Sequence, residues 1–518
     1  MQATLSPPDF LTRAPELLRG LRCGIEKESL RVSADGHLSQ RPHPEAMGSA
    51  LTHPNITTDF SEAQLELITA VHDSPEGAID ELRDIHRFVY QQLADELLWA
   101  GSMPCLMGAD ADIPVGRYGT SNIGTAKTVY RLGLGNRYGR LMQTISGIHY
   151  NFSLPAAFWE PFASSRDAAP GQDFQTRSYF DLIRNFRRHS WLLIYLFGAS
   201  PAICRSFVKN QPHRLEAFDE GSLYLPHGTS LRMGRLGYQS DAQSTLHVSY
   251  NSLEEYAASM LEALTRSYPA YEAIGVKAGD EYLQLNTSLL QIENEFYGTI
   301  RPKRPIMSGE RPLTALTARG VEYVEVRCLD LNPFLPEGID SVEARFINLF
   351  LVYCLLLDSP DDSERESEIM GNNQLTVVER GREPGLILET MSGGMPMVQW
   401  ADQVFDGIRP LAELLDELHG NDLYSYSLDQ QVAKLHQPEL TPSARMLDIM
   451  RRQQIPFFRF TLNQSIAHKG YFDEHPLRDR ALVEYERIAR ASIERQHAVE
   501  AADQVDFDTF LEGYLAFK

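Results

Sequence analysis

Alternation of apolar and polar residues marks five strand-like stretches in this chain, and helical spacing accounts for much of the remainder. In Gly24-Ile25-Glu26-Lys27-Glu28-Ser29-Leu30-Arg31-Val32, side chains two apart share a face, so Glu26 and Glu28 point the same way. The second stretch lies within Leu51–His72, which carries Asp59 and then Gln64–Thr69. There Leu65 and Leu67 alternate with Gln64 and Glu66. In Gln143–Leu154, Ile148, Tyr150, Phe152 and Leu154 take one parity, and Gln143, His149, Asn151 and Ser153 the other. Tyr282–Tyr297 sets Gln291, Glu293, Glu295 and Tyr297 against Leu290, Ile292, Asn294 and Phe296, and ends in the basic run Arg301–Arg304. Finally, Gly320–Leu331 puts Tyr323, Glu325 and Arg327 on one face and Val324 and Val326 on the other.

Start signals place the helices. Ser74-Pro75-Glu76 offers an N-cap, a proline at the first helical position and an acid in the first turn, and predicts a helix to about Trp99. Residues 101–140 are rich in Gly, Ser and Asn and read as loops around a short helix; 156–176 reads as a polar insertion. Tyr179–Phe197, 252–266 and 340–357 are predicted helices, the last two opened by capping boxes. Leu223–Tyr238 is irregular, and Asp358–Gln374 reads as an acidic surface loop. Further helices are expected at 402–419, 442–454 and 476–503, followed by a short tail. No repeat or long linker is visible, so 1–518 reads as one unit: a sheet-bearing part to about 340, then a helical shell over 341–518.

Composition narrows the partners. A net charge of −22 disfavours nucleic acid and anionic membranes, so an anionic substrate needs local cations or bound metal. The first residues show no secretion signal, and the most apolar runs, 191–204 and 346–357, are shorter than the roughly 20 residues that span a bilayer. Cys23, Cys105, Cys204, Cys328 and Cys354 are odd in number and scattered. They suit a reducing cytoplasm and argue against a disulfide framework or a structural zinc site.

Joined in one sheet, the polar faces would form a floor carrying Glu26, Glu28, Asp59, Glu66, His149, Glu293, Glu295 and Glu325. So many carboxylates at close quarters stay ionised only with cations, and oxygen-rich donors favour Mg²⁺ or Mn²⁺ over zinc. Each residue also has a plainer reading. Glu293 and Glu295 could be solvated, His149 an ordinary polar residue, Arg301–Arg304 a surface turn, Tyr130, Tyr238 and Tyr297 core edges, and Arg327 only the ion-pair partner of Glu325. The pattern alone reaches an acidic sheet with a divalent-metal site. No P-loop is present: Gly119–Lys127 comes nearest but has Thr125 and Ala126 after Gly124. Nor is there a G-x-G-x-x-G or an H-E-x-x-H.

Several long motifs, in order, resemble glutamate–cysteine ligase (γ-glutamylcysteine synthetase) of the proteobacterial type. They are Gly24–Val32, Leu51–Phe60, Met142–Ser153, Leu196–Ala202, Leu290–Arg304 and Val321–Phe334. The resemblance is nearly continuous over 20–340, weaker over about 358–440, and returns in part at Ser443–Leu447. It implies an α+β fold with a glutamine-synthetase-like antiparallel sheet curled into a funnel and wrapped by helices. It also implies ATP-dependent joining of the γ-carboxylate of L-glutamate to the amine of L-cysteine through γ-glutamyl phosphate, the first step of glutathione synthesis.

Carried over by the same resemblance, Glu26, Glu28, Asp59, Glu66, His149 and Glu325 are the magnesium ligands, and Arg327 contacts the transferring phosphoryl group beside Glu325. Arg232 takes the glutamate α-carboxylate. Gln143 and Asn151 are expected in the substrate site, and Tyr130, Tyr238 and Tyr297 form the cysteine pocket. Cys328 stands where a small hydroxyl residue is expected. A monomer in the cytoplasm, with Mg²⁺ replaceable by Mn²⁺ and with feedback by glutathione, completes the expectation. The rivals are a carboxylate–amine ligase with another amine, a metal-dependent phosphohydrolase, and an acidic binding protein without turnover.

Overall fold

The computed structural model describes residues 8–516 except 209–211, 237–240, 245 and 308. Its centre is a seven-stranded antiparallel sheet of β1 (Arg22–Val32), β2 (Ile56–Thr58), β3 (Gln64–Ile68), β4 (Leu97–Leu98), β5 (Ile148–Ser153), β6 (Ile300–Lys303) and β7 (Tyr323–Leu329). The order is β6-β7-β5-β1-β3-β2, with β4 on the far end of β1. The sheet is open, and a bulge between Val326 and Leu329 disturbs the β7–β5 register.

Period-two alternation accounts for the two faces. Ile25, Leu65, Leu67, Ile148, Tyr150, Phe152, Val324 and Val326 are all buried in the main core. That core also takes α1 (Pro75–Gln92), α2 (Gln172–Phe197) and α3 (Ser341–Leu356), the last almost wholly buried. Caps read from sequence are made: the Ser74 hydroxyl accepts from Gly77 N–H and the Asp340 carboxylate from Glu343 N–H.

Several expectations are corrected. The helix expected to reach Trp99 stops at Gln92, because Leu97 and Leu98 pair with Val32 and Arg31 and Glu96 takes the buried Arg31 guanidinium at 2.9 Å. The loop-rich 101–140 contains a 17-residue helix, Asn122–Tyr138. Its glycines serve close packing: a Cβ at Gly133 would lie 2.1 Å from the Gln291 side chain. The insertion at 156–176 holds a helix, Ala156–Ser165, with Phe158, Trp159 and Phe162 buried. Within the supposed acidic loop 358–374, Ser363 caps a helix, Glu364–Arg380. Leu423–His436 and Phe457–Glu474 are further helices that periodicity did not separate.

The Tyr282–Tyr297 stretch is not a long strand. Gln291 accepts from Leu285 N–H, Glu295 from Gln291 N–H, and Asn286 donates to the Gln291 carbonyl, so side chains take the backbone groups a ladder would use. Glu293 instead pairs with Arg311 and Glu295 with Arg137, which removes both from the floor. The strand in the sheet is the basic run itself, Ile300–Lys303. The cysteine reading is also corrected: Cys105 and Cys204, 99 residues apart, form a disulfide with Cα atoms 5.7 Å apart. Packing of the 202–204 strand segment beside the 101–108 loop brings them together, which spacing arithmetic cannot see. Cys23, Cys328 and Cys354 are buried thiols.

Candidate active site

Directly opposed residues in an antiparallel pair share a face. The register sets Glu26 opposite His149, Glu28 opposite Glu66, Glu66 opposite Thr57, Asn151 opposite Glu325, and Glu325 opposite Arg301. One face of four strands, β1, β3, β5 and β7, therefore carries Glu26, Glu28, Glu66, His149, Asn151, Glu325 and Arg327.

Glu26, His149 and Glu325 form the tightest group: one ligand atom from each lies within 4.8 Å of the others. His149 Nδ1 is 3.3 Å from Glu26 Oε2 and 3.7 Å from Glu325 Oε1, while Nε2 is 3.6 Å from Glu28 Oε1. Asn151 donates to Glu26 Oε1 at 2.8 Å. Arg327 donates to Glu325 Oε1 at 3.0 Å, and Lys303 Nζ lies 3.1 Å from Glu325 Oε2. Burial disfavours ionised carboxylates, yet these neighbours reverse its effect. Glu26 is held below the usual range by its hydrogen bond with His149, and Glu325 well below it by Lys303 and Arg327. Burial, with Arg327 alongside, keeps the His149 imidazole neutral, the form that ligates metals.

Across β1 the balance inverts. Burial and the Asp59 charge push Glu28 up to about 8, although Gly147 N–H donates to Glu28 Oε2 at 2.7 Å. Glu66 is raised well above its ordinary value by burial, then by Glu26, Asp59 and Glu28. Asp59 sits in the turn after β2, where its N–H donates to the Gln64 carbonyl. Carboxylate, amide and imidazole donors, with Asn151 Oδ1 buried and accepting no hydrogen bond among the described residues, are a donor set suited to a hard divalent cation. The residues present fit Mg²⁺ or Mn²⁺.

Beyond Glu28, the buried Arg232 donates to the Arg327 carbonyl at 3.0 Å, with Asp330 at 4.0 Å. Gly147 makes room for it: a Cβ there would lie 2.1 Å from the Arg232 guanidinium. Gln143 donates to the Tyr297 hydroxyl at 3.2 Å. Tyr130, on the Asn122–Tyr138 helix, has its phenol raised by burial and then by Glu295 and Tyr297. Arg232, Arg327 and Tyr297 line a cavity of about 820 Å³ whose far wall is the Glu364–Arg380 helix. Tyr238 lies outside the described residues.

Sequence reasoning missed Lys303 and Arg301 as members of the floor. The alternation Ile300, Arg301, Pro302, Lys303 was the available signal, and Pro302 disguised it as a turn.

The chain matches the glutamate–cysteine ligase family over residues 10–377. It is 50% identical to the glutamate–cysteine ligase of Alcanivorax borkumensis over 97% of each protein. It is also 50% identical to that of Pseudomonas entomophila, covering 97% of this chain and 95% of that one. The crystal structure of the Francisella tularensis glutamate–cysteine ligase in complex with AMP aligns with a TM-score of 0.90 at 36% identity, over 96% of this chain and 97% of the other. A bifunctional glutathione synthetase from Pasteurella multocida shares the fold at a TM-score of 0.68 and 24% identity, over 93% of this chain and 57% of that one. With that agreement over nearly its whole length, the chain belongs to the glutamate–cysteine ligase family, enzymes of the first step in glutathione synthesis.

Proposed function

We propose that this floor carries out ATP-dependent ligation of L-glutamate to L-cysteine through γ-glutamyl phosphate. The carrying observation is the Glu26–His149–Glu325 group, half-buried at Glu26 and buried at the other two, with Arg327 and Lys303 on its edge and Arg232 beyond Glu28. A carboxylate is a poor electrophile, so its oxygen first attacks the γ-phosphorus of ATP and ADP leaves. Arg327 stabilises charge developing on the transferring phosphoryl group. Arg232 holds the glutamate α-carboxylate and so aims the γ-carboxylate. The cysteine amine, seated by Tyr130, Tyr238, Tyr297 and Gln143, attacks the acyl carbon; it loses a proton and phosphate departs. Burial of the floor keeps water from the acyl phosphate. Glu26, Glu28, Asp59, Glu66, His149 and Glu325 would hold Mg²⁺, or Mn²⁺ in its place, and the metal would supply neutralisation of phosphate charge.

The further expectations stand with this reading: a monomer acting in the cytoplasm and inhibited by glutathione. Among the described residues no helix is long and apolar enough to cross a membrane. The reading of 1–518 as one catalytic unit is supported by the main buried cluster, which draws on residues from Leu11 through Ala489.

The test is ADP release. Glutamate with cysteine and Mg²⁺ should give turnover that vanishes without the metal or either amino acid, and ammonia should not replace cysteine. Phosphate release from ATP alone would overturn the reading in favour of a phosphohydrolase, and equal rates with ammonia would reassign the acceptor.

A further inference from the structure

The floor has two ends, and the groups that suit amino acids gather at one. Arg232, Gln143 and Tyr297 lie towards Glu28 and Arg327. The opposite end is defined by the pairs Arg301–Glu325 and Lys303–Tyr323 of β6 and β7, and by the pairing of Asn151 with Glu325. Two cations of an edge strand face the carboxylates there, and they are not equivalent. Arg301 is buried, and its guanidinium donates to the main-chain carbonyls of Asn294 and Phe296. Lys303 keeps 25% of its side chain exposed and meets Glu325 Oε2, the oxygen left over when Arg327 takes Oε1. That oxygen is buried and has no hydrogen bond beyond this ion pair among the described residues.

An ammonium on a flexible four-carbon stem is a mobile point charge, suited to following an anion that arrives after the protein has folded. Glu325 is also the carboxylate shared between the imidazole of His149, Arg327 and Lys303, so another cation on Oε2 would release the lysine. We propose that Lys303 binds the phosphate chain of the nucleoside triphosphate, turning from Glu325 Oε2 to the phosphate oxygens when nucleotide enters. The pairing with Glu325 then holds the partly exposed lysine beside the floor before substrate arrives. This rests on the reading that ATP phosphates lie over the acidic floor, and it adds a residue that the family resemblance did not assign.

The experiment compares Lys303→Met, which keeps the stem and removes the charge, and Lys303→Arg with the wild type. Steady-state ADP release is measured at varied ATP, glutamate and cysteine, and binding of ADP with Mg²⁺ is measured by calorimetry. Lys303→Met should raise the KM for ATP and the Kd for ADP about tenfold or more, a loss typical of a charge-assisted contact. The KM values for glutamate and cysteine should stay within about twofold, and Lys303→Arg should recover most of the ATP affinity. Unchanged KM for ATP and Kd for ADP in Lys303→Met overturn the proposal. So does a fall in kcat alone, which would make Lys303 only a support for Glu325. Should Lys303→Met fail to fold by circular dichroism, Lys303→Gln serves with the same readings. Wild-type protein that binds ADP but does not require both amino acids would sink the ligase reading while leaving Lys303 testable by calorimetry; wild-type protein that binds no ADP would sink both.

Discussion

On the β7 side of β1, Glu26 and Glu325 face His149, Arg327 and Lys303; on the β3 side, Glu28, Glu66 and Asp59 face chiefly one another. Each side has one buried and one half-buried glutamate, yet their protonation runs in opposite directions. Glu26 and Glu325 are held ionised, whereas Glu28 and Glu66 are pushed towards the neutral form. Burial acts alike on both sides, so the difference is made by cations within ion-pair distance. The carboxylates of one half have cations of the chain itself beside them, and those of the other half chiefly one another.

The largest expected effect comes from removing the guanidinium that meets Glu325 Oε1. Arg327→Ala should lower turnover by about a thousandfold while the fold survives, read as ADP release beside circular dichroism. Wild-type turnover would take Arg327 out of the mechanism. Next, Gly147→Ala forces the Arg232 guanidinium from its seat beside Glu28. It should raise the KM for glutamate by about tenfold or more, with the KM for ATP little changed.

A pH series sharpens the contrast on the β3 side. Glu28 titrates at about 8 in the fold against an ordinary 4.5, so between these values the folded state keeps a proton that the unfolded state has released. Metal-free protein should therefore lose stability as pH rises from about 4.5 to about 8. Mg²⁺ must displace the same proton, so its apparent affinity should climb with pH and level off near 8, as followed by thermal melts with and without the metal. A flat Mg²⁺ affinity across that range would show that Glu28 is not a ligand. The smallest effect belongs to Glu66→Gln, which replaces a group already pushed towards neutrality. Metal-free stability should move by no more than about 0.5 kcal/mol, whereas Mg²⁺ stabilisation should shrink. The matching change on the other side, Glu325→Gln, should destabilise the metal-free protein, because it strips Lys303 and Arg327 of their counter-charge.

Much of the site was legible because alternation places side chains before any tertiary contact is known. The parity of Glu26 with Glu28, and of Glu325 with Arg327, needed nothing beyond the strand period. Glu293 and Glu295 had the same parity and misled. Their neighbours Gln291 and Asn286 bind the local backbone, and Arg311 and Arg137 arrive from distant segments to neutralise the carboxylates. The glycine-rich 121–139 stretch was misjudged for a related reason. A glycine that permits Gln291 to pack against a helix looks, in one dimension, like a glycine that ends one.

What the sequence by itself determined was four of the five two-faced strand stretches, the capped helices and the family, since these rest on spacing between residues close in the chain. Which acids share a cation, which stand beside Lys303 and Arg327, and which cysteines meet was decided only by tertiary structure. Electrostatic state depends on distances of a few ångströms between groups that may be a hundred residues or more apart, and strand register, rather than sequence order, sets those distances.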